Sequence, residues 1–243
     1  MRIFKDCLEA VKEVERDLAE MGIRYESDSV QDKMLSGEER QTLELAPYAY
    51  AVFSSPEGEL NHRTFMGLHS MLRYKKDDPD FIEWVYAEAN ERETGECSKK
   101  NPGDAWRIYA KFWQQFLRDS KFAYTYVERI HEQLDYIVSE LKARPNTRQA
   151  IITIYDRHQD LMNMGGRDRV PCSISYQFIL RDGRLTLIYS QRSCDFKKFF
   201  QADMYFAISL LNHVAQKVGA EPFAFYHFIN SLHMFKADAE GVF

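Results

Sequence analysis

Residues 167–195 read RDRVPCSISYQFILRDGRLTLIYSQRSCD, and this stretch organises the rest of the chain. Ser173–Leu180 and Leu185–Ser190 alternate β-branched and aromatic residues with polar ones, the period of half-buried strands. Arg181-Asp182-Gly183-Arg184 between them supplies the Asp-Gly pair of a tight hairpin. A cysteine after a proline (Pro171-Cys172) enters the first strand, and Gln191-Arg192-Ser193-Cys194-Asp195 leaves the second. The block therefore joins a nucleophile, a cation and hydroxyl suited to a phosphate, and a carboxylate.

Working outward, Ile3, Phe4, Cys7, Leu8, Val11, Val14, Leu18 and Met21 recur at helical spacing, so the chain should open with an amphipathic helix that stops at Gly22. Ser27–Arg40 reads as a loop and Thr42–Phe53 as a strand. Helices are expected over Phe65–Tyr74, Asp80–Ala89, Ala105–Leu117, Tyr126–Leu141 and Gln201–Val218, and strands over Ala150–Tyr155 and Pro222–Ile229. Asn90–Gly103 reads as an exposed excursion. Helices and strands are interspersed without an internal repeat, which gives a mixed α+β class in one domain over 1–243.

The 243 residues are 45% hydrophobic and 14% aromatic, which argues against disorder. A net charge of −5 offers no general field for nucleic acid, so an anionic ligand must meet a local group of arginines. The four cysteines lack CxxC spacing and no His/Cys group suggests a metal. With neither a signal peptide nor an apolar run of about eighteen residues, the chain reads as soluble, without a membrane span, and cytoplasmic (host cytoplasm if phage-encoded).

Pro171-Cys172, Tyr176-Gln177-Phe178, Arg181-Asp182-Gly183, Gln191–Asp195 and Leu232-His233 together resemble the thymidylate synthase family, which includes phage pyrimidine hydroxymethylases. The resemblance runs from about Asn146 to Phe235, with Tyr124–Ile130 a fainter match. It implies a three-layer α/β/α sandwich whose curved mixed sheet packs on the same sheet of a second subunit, making a homodimer. It further implies a pyrimidine nucleoside monophosphate as substrate and 5,10-methylenetetrahydrofolate as co-substrate.

Within that resemblance Cys172 is the nucleophile that adds to C6 of the base and turns C5 into an enamine or enol carbon. Arg192 and Ser193 hold the phosphate, with Arg148 reaching across from the partner subunit and Arg40 a possible counterpart of an N-terminal phosphate arginine. Gln191 and His233 line the pocket, Asp195 orders base, waters and folate, and Tyr126 lies near the reacting carbon. Phe199 occupies a position next to the folate site that is usually glycine. The expected catalytic glutamate of an early helix is not evident in HRTFMGLHSMLRYKK, where His69 or Ser70 stands instead; Glu59, Glu83 and Glu88 are alternative counterparts.

Asp203 follows Asp195 by eight residues, where uracil-specific members carry asparagine and cytosine-specific members aspartate. A carboxylate accepts from the exocyclic amino group of cytosine, whereas uracil presents an acceptor there. The competing reading makes Asp203 a helix N-cap. Eight residues follow Phe235, where relatives continue into a closing tail, and an open site favours water attack and a hydroxymethyl product. The expectation is conversion of dCMP to 5-hydroxymethyl-dCMP. The alternatives are a CMP or dUMP hydroxymethylase or methylase, and a nucleotide-binding homologue without turnover.

Overall fold

The computed structural model describes residues 1–28, 37–54, 60, 65–97, 102–164 and 168–238. Arg2–Phe4 forms β1, and α1 (Cys7–Met21) starts from Asp6, whose side chain accepts from the Glu9 amide. The helical spacing read from Ile3 onward thus covers two elements, a short strand and the helix. Ala10, Val11, Val14 and Leu18 bury the inner stripe of α1. Next come β2 (Ile23–Glu26), β3 (Gln41–Leu45) and β4 (Tyr48–Phe53).

The single strand expected over Thr42–Phe53 is thus two strands, broken at Ala46-Pro47. Proline has no N–H for a ladder, and the chain uses the break to change sheets. Strands β5 (Ile151–Thr153), β6 (Ser173–Arg181), β7 (Arg184–Gln191), β8 (Cys194–Asp195), β9 (Glu221–Ile229) and β10 (Leu232–Phe235) complete the set. They form a six-stranded mixed sheet in the order β1-β4-β9-β7-β6-β5 and a four-stranded sheet β2-β3-β10-β8. The β6–β7 hairpin turns at Asp182-Gly183 with φ of 49° and 72°, the left-handed conformation that Asp-Gly tolerates.

The helices are α2 (Phe65–Arg73), α3 (Pro79–Thr94), α4 (Asp104–Ile108), α5 (Ala110–Trp113), α6 (Tyr126–Ala143), α7 (Asp160–Asn163) and α8 (Phe200–Val218). The excursion expected from Asn90 begins later, because α3 runs to Thr94 and ends at Gly95 with φ 77°; residues 98–101 lie outside those described. The helix expected over Ala105–Leu117 is α4, α5 and a 3-10 turn, interrupted at Tyr109. Leu187 and Tyr189 of β7 and Phe225 and His227 of β9 point into the core beneath α8, while Thr186, Ile188 and Tyr226 stay half-exposed on the opposite face and Phe228 is exposed. This mixed α+β layering sets the start of β6, the start of α8 and one face of α3 around a common cleft.

Candidate active site

Cys172 sits immediately before β6, and the hairpin register places it beside the residues that follow β7. The Arg192 amide donates to the Cys172 carbonyl at 2.8 Å, and Arg192 Nη2 lies 3.9 Å from Cys172 Sγ. The same guanidinium donates to the carbonyls of Pro171 (2.8 Å) and Val170 (2.9 Å), so Arg192 also holds the turn that presents the thiol. Tyr126, first residue of α6, accepts from the Cys172 amide at 3.1 Å.

A cleft opens over Sγ, lined by Ser193, Asp195, Phe199, Asp203 and His233 together with Cys172 and Tyr126. Asp195 and His233 are paired across the parallel strands β8 and β10, and Asp195 Oδ1 accepts from the Lys198 amide at 3.1 Å. His233 Nδ1 is buried with no hydrogen-bond partner among the described residues. Asp203 lies in the first turn of α8 but does not cap it. The cap position belongs to Phe199, and Asp203 Oδ2 instead accepts from Gln191 Nε2 at 2.8 Å. Burial pushes the Asp203 carboxyl up to about 6. Burial also pushes the Cys172 thiol up, aided by Asp203 and Asp195 and opposed by the Arg192 and Arg169 cations.

Helix α3 supplies the opposite wall. Trp84, Glu88 and Arg92 are spaced by four residues and share the face turned to the cleft. Of the three alternative glutamates, Glu88 is the one at the cleft. Glu83 borders a separate surface basin with Arg73 and Lys75, and Glu59 lies outside the described residues. His69, expected to replace that carboxylate, is not among the cleft residues. It bonds Tyr86 through Nδ1, and Tyr86 points from α3 toward that same basin rather than the cleft.

Three further expected site residues stand elsewhere. Gln191 is fully buried behind Asp203 rather than on the cleft surface. Arg148 is exposed on the approach to β5, its carbonyl accepting from Gln177 at 3.0 Å. Arg40 donates to the Ser27 carbonyl at 3.0 Å beside the β2–β3 pair, away from the cleft in this chain.

Arg169 was not foreseen. Its guanidinium lies over the rings of Trp113, Phe116 and Tyr124 at 4.7, 5.0 and 4.9 Å and lines the cleft close to Cys172. The only sequence signal for it was its place three residues before the cysteine. Trp84, Phe112, Trp113, Phe116 and Phe199 form an aromatic wall, with Phe112 and Phe199 centroids 5.1 Å apart. Flat heteroaromatic rings stack on such a surface, so the residues present fit a folate pterin. No group of three or more metal-binding side chains occurs among the described residues, and no helix there is long and apolar enough to cross a membrane.

The arrangement brings a thiol, cations, three carboxylates and an aromatic wall into one cleft, the components for nucleophilic addition to a bound ring. The family model described as thymidylate synthase matches residues 74–242. A deoxyuridylate hydroxymethyltransferase of Bacillus phage SP01 is 34% identical over 108 residues, 44% of this chain and 28% of that protein. A thymidylate synthase of Listeria monocytogenes is 29% identical over 171 residues, 68% of this chain and 50% of that protein. The chain spans about half the length of most of the curated relatives it matches. With its family match covering well over half the chain, the protein belongs to the thymidylate synthase family.

Proposed function

We propose that this chain transfers a one-carbon unit from 5,10-methylenetetrahydrofolate to C5 of a pyrimidine nucleoside monophosphate, with dCMP as substrate and 5-hydroxymethyl-dCMP as product. The observation that carries the choice of base is the Asp203 carboxylate on the cleft that Cys172 lines. A site built to accept from an exocyclic amino group leaves buried groups unpaired when uracil is bound, and such mismatches discriminate strongly.

In this reading Cys172 Sγ adds to C6 and the electron pair moves to C5, which attacks the methylene carbon; loss of the C5 proton and departure of tetrahydrofolate leave an exocyclic methylene, and addition of water there expels Cys172 from C6. The co-substrate supplies the electrophilic methylene. Arg192 and Ser193 receive the phosphate, with Arg148 of one subunit serving the site of the other. Because the resting thiol is held protonated by burial, the Arg192 and Arg169 cations are needed to favour the thiolate as the nucleotide binds. Asp195 and His233 order the base and its water. Glu88 is the acid–base group assigned to proton transfer and to activating the water that completes the hydroxymethyl group. The half-exposed sheet face carrying Ile188 and Tyr226, with Phe228 exposed, supports a homodimer packed through this sheet.

The similarity to the phage deoxyuridylate enzyme supports a second reading, in which dUMP is the substrate. Mass spectrometry of the products from dCMP, CMP, dUMP and UMP, each with methylenetetrahydrofolate, tests both. A hydroxymethyl adduct confined to cytidylate is expected. A modified uridylate overturns the base assignment, and no product from any of the four leaves a nucleotide-binding homologue.

A further inference from the structure

Behind Asp203 a chain of hydrogen bonds runs into the core. Tyr50 Oη meets His227 Nδ1 at 3.0 Å, His227 Nε2 meets Gln191 Oε1 at 2.7 Å, and Gln191 Nε2 meets Asp203 Oδ2 at 2.8 Å. Tyr50, His227 and Gln191 have no solvent exposure. The thiol of Cys194 approaches the same Oδ2 at 3.7 Å, so two groups converge on one carboxylate oxygen.

The direction of the chain follows from proton bookkeeping. Burial raises the Tyr50 hydroxyl well above its ordinary range, so it keeps its proton and donates. Burial pushes His227 down to about 3, so the ring is neutral and carries one proton. With Nδ1 accepting from Tyr50, that proton sits on Nε2 and goes to Gln191 Oε1, which turns the amide nitrogen toward Asp203. Reversal would have Asp203 donate from Oδ2, and would cost the buried Tyr50 hydroxyl its acceptor at His227 Nδ1. A buried donor without an acceptor is costly.

We propose that Tyr50, His227 and Gln191, with Cys194, are positioning residues that fix Oδ2 of Asp203 as an acceptor and reserve Oδ1 as the oxygen that carries a proton. The inference rests on the assignment of Asp203 as the base-reading group. A carboxyl polarised in this way matches cytosine in one orientation: Gln191 keeps one lone pair of Oδ2, the N4 amino group donates to the other in place of the weak 3.7 Å Cys194 contact, and the Oδ1 proton goes to N3. Uracil, with a carbonyl at C4 and N–H at N3, has the opposite polarity at both atoms. The other titratable groups that face Asp203 are Arg92 and Glu88 of α3, Lys76, Cys172, Tyr126 of α6, and Tyr176 and Tyr189 of the sheet. None of these takes part in the relay.

Dissociation constants for dCMP and dUMP, measured by calorimetry on the full chain, test this in the parent, Asp203→Asn, Tyr50→Phe and His227→Phe. The ¹⁵N shifts of the His227 ring are recorded in the parent and in Tyr50→Phe. The expected result is reversal of the base preference in Asp203→Asn, and a loss of about tenfold in the cytidylate preference in the two relay variants. His227 should be a single Nε2–H tautomer in the parent and a mixture in Tyr50→Phe, which removes only a hydroxyl and keeps the test available if His227→Phe fails to fold. If Asp203→Asn leaves the preference unchanged, the base assignment falls and the relay with it. If Asp203→Asn reverses the preference while Tyr50→Phe preserves it, or His227 is the Nδ1–H tautomer, the relay alone is overturned.

Discussion

Arg92 Nε donates to Glu88 Oε1 at 3.1 Å from one turn further along α3, and the Arg92 guanidinium lies 3.8 Å from the ring centre of Phe206 and 4.6 Å from that of Tyr126. The arginine is buried and the glutamate opens on the cleft, so one pair joins a fixed cation to an accessible carboxylate. Glu88→Gln keeps an acceptor for Arg92 and removes only the titratable oxygen. Turnover should fall by about 10²–10⁴, while nucleotide affinity stays within a few-fold of the parent. Steady-state kinetics beside calorimetric dCMP binding measures both. Turnover within tenfold of the parent would remove Glu88 from the proton-transfer role.

The thiol of Cys172 gives a second test. Burial raises it above the free cysteine value, and Arg192 and Arg169 hold it partly down. The midpoint of the rise with pH in the rate of alkylation by iodoacetamide should therefore lie above about 8.5, the midpoint for an exposed cysteine. Arg192→Ala withdraws the larger cation and should move the midpoint further up. Cys172→Ser should abolish turnover while retaining dCMP affinity. A plateau in labelling below pH ~8 would contradict the inferred electrostatics.

His69 belongs to the Tyr86 contact and not to the cleft. Phenylalanine at this position should leave kcat within about twofold, because the site loses no group that faces it. A loss of a hundredfold would return His69 to the mechanism.

What the sequence made legible divides along physical lines. The β6–β7 hairpin and the residues flanking it were readable because strand alternation, a turn dipeptide and a short motif all act locally, and this block brings Cys172 to Arg192. Glu88 was not singled out, since which face of α3 meets the cleft depends on its packing against α6 and α8. Local pattern shows a spacing of four from Trp84 to Glu88 to Arg92 but not the direction in which that stripe points. The break at Pro47 carried a sequence signal, yet that β3 and β4 enter different sheets is a long-range outcome. Arg169 stacked on three rings likewise depends on its meeting aromatics from α5 and the segment that follows it, more than forty residues earlier in the chain.

Arg129 and Asp160 form an enclosed, bidentate ion pair. Nη1–Oδ2 is 2.7 Å and Nη2–Oδ1 is 2.9 Å, Asp160 has no exposure, and Arg129 Nη1 also donates to the Ile154 carbonyl at 2.7 Å. This clamps the chain after β5 against α6, ahead of the segment leading to Cys172. Asp160→Ala leaves the guanidinium buried without its carboxylate and should destabilise the fold by about 3–5 kcal/mol. Urea unfolding checks it. A change below about 1 kcal/mol would mean that water reaches and satisfies Arg129.

Asp203 should reveal itself in stability as well as in base choice. Its carboxyl is raised by burial to about 6, against roughly 3.9 in an unfolded chain. Below pH ~4 it is protonated in both states and contributes nothing to the pH dependence. Between about 4 and 6 the folded state holds the proton that the unfolded state has released, so stability falls as pH rises across that window and stays lower above it. The deficit at neutral pH is on the order of 2–3 kcal/mol. Asp203→Asn abolishes this titration while keeping an oxygen for Gln191, so the variant should gain stability over the parent at pH ~7 and lose that advantage toward pH ~4. Unfolding by urea across this range measures the difference. A parent and variant that differ equally at both ends would mean that Asp203 is hydrated in the free protein and that the energetic burden of an ionised, half-buried carboxylate is not part of how this cleft is set to read its base.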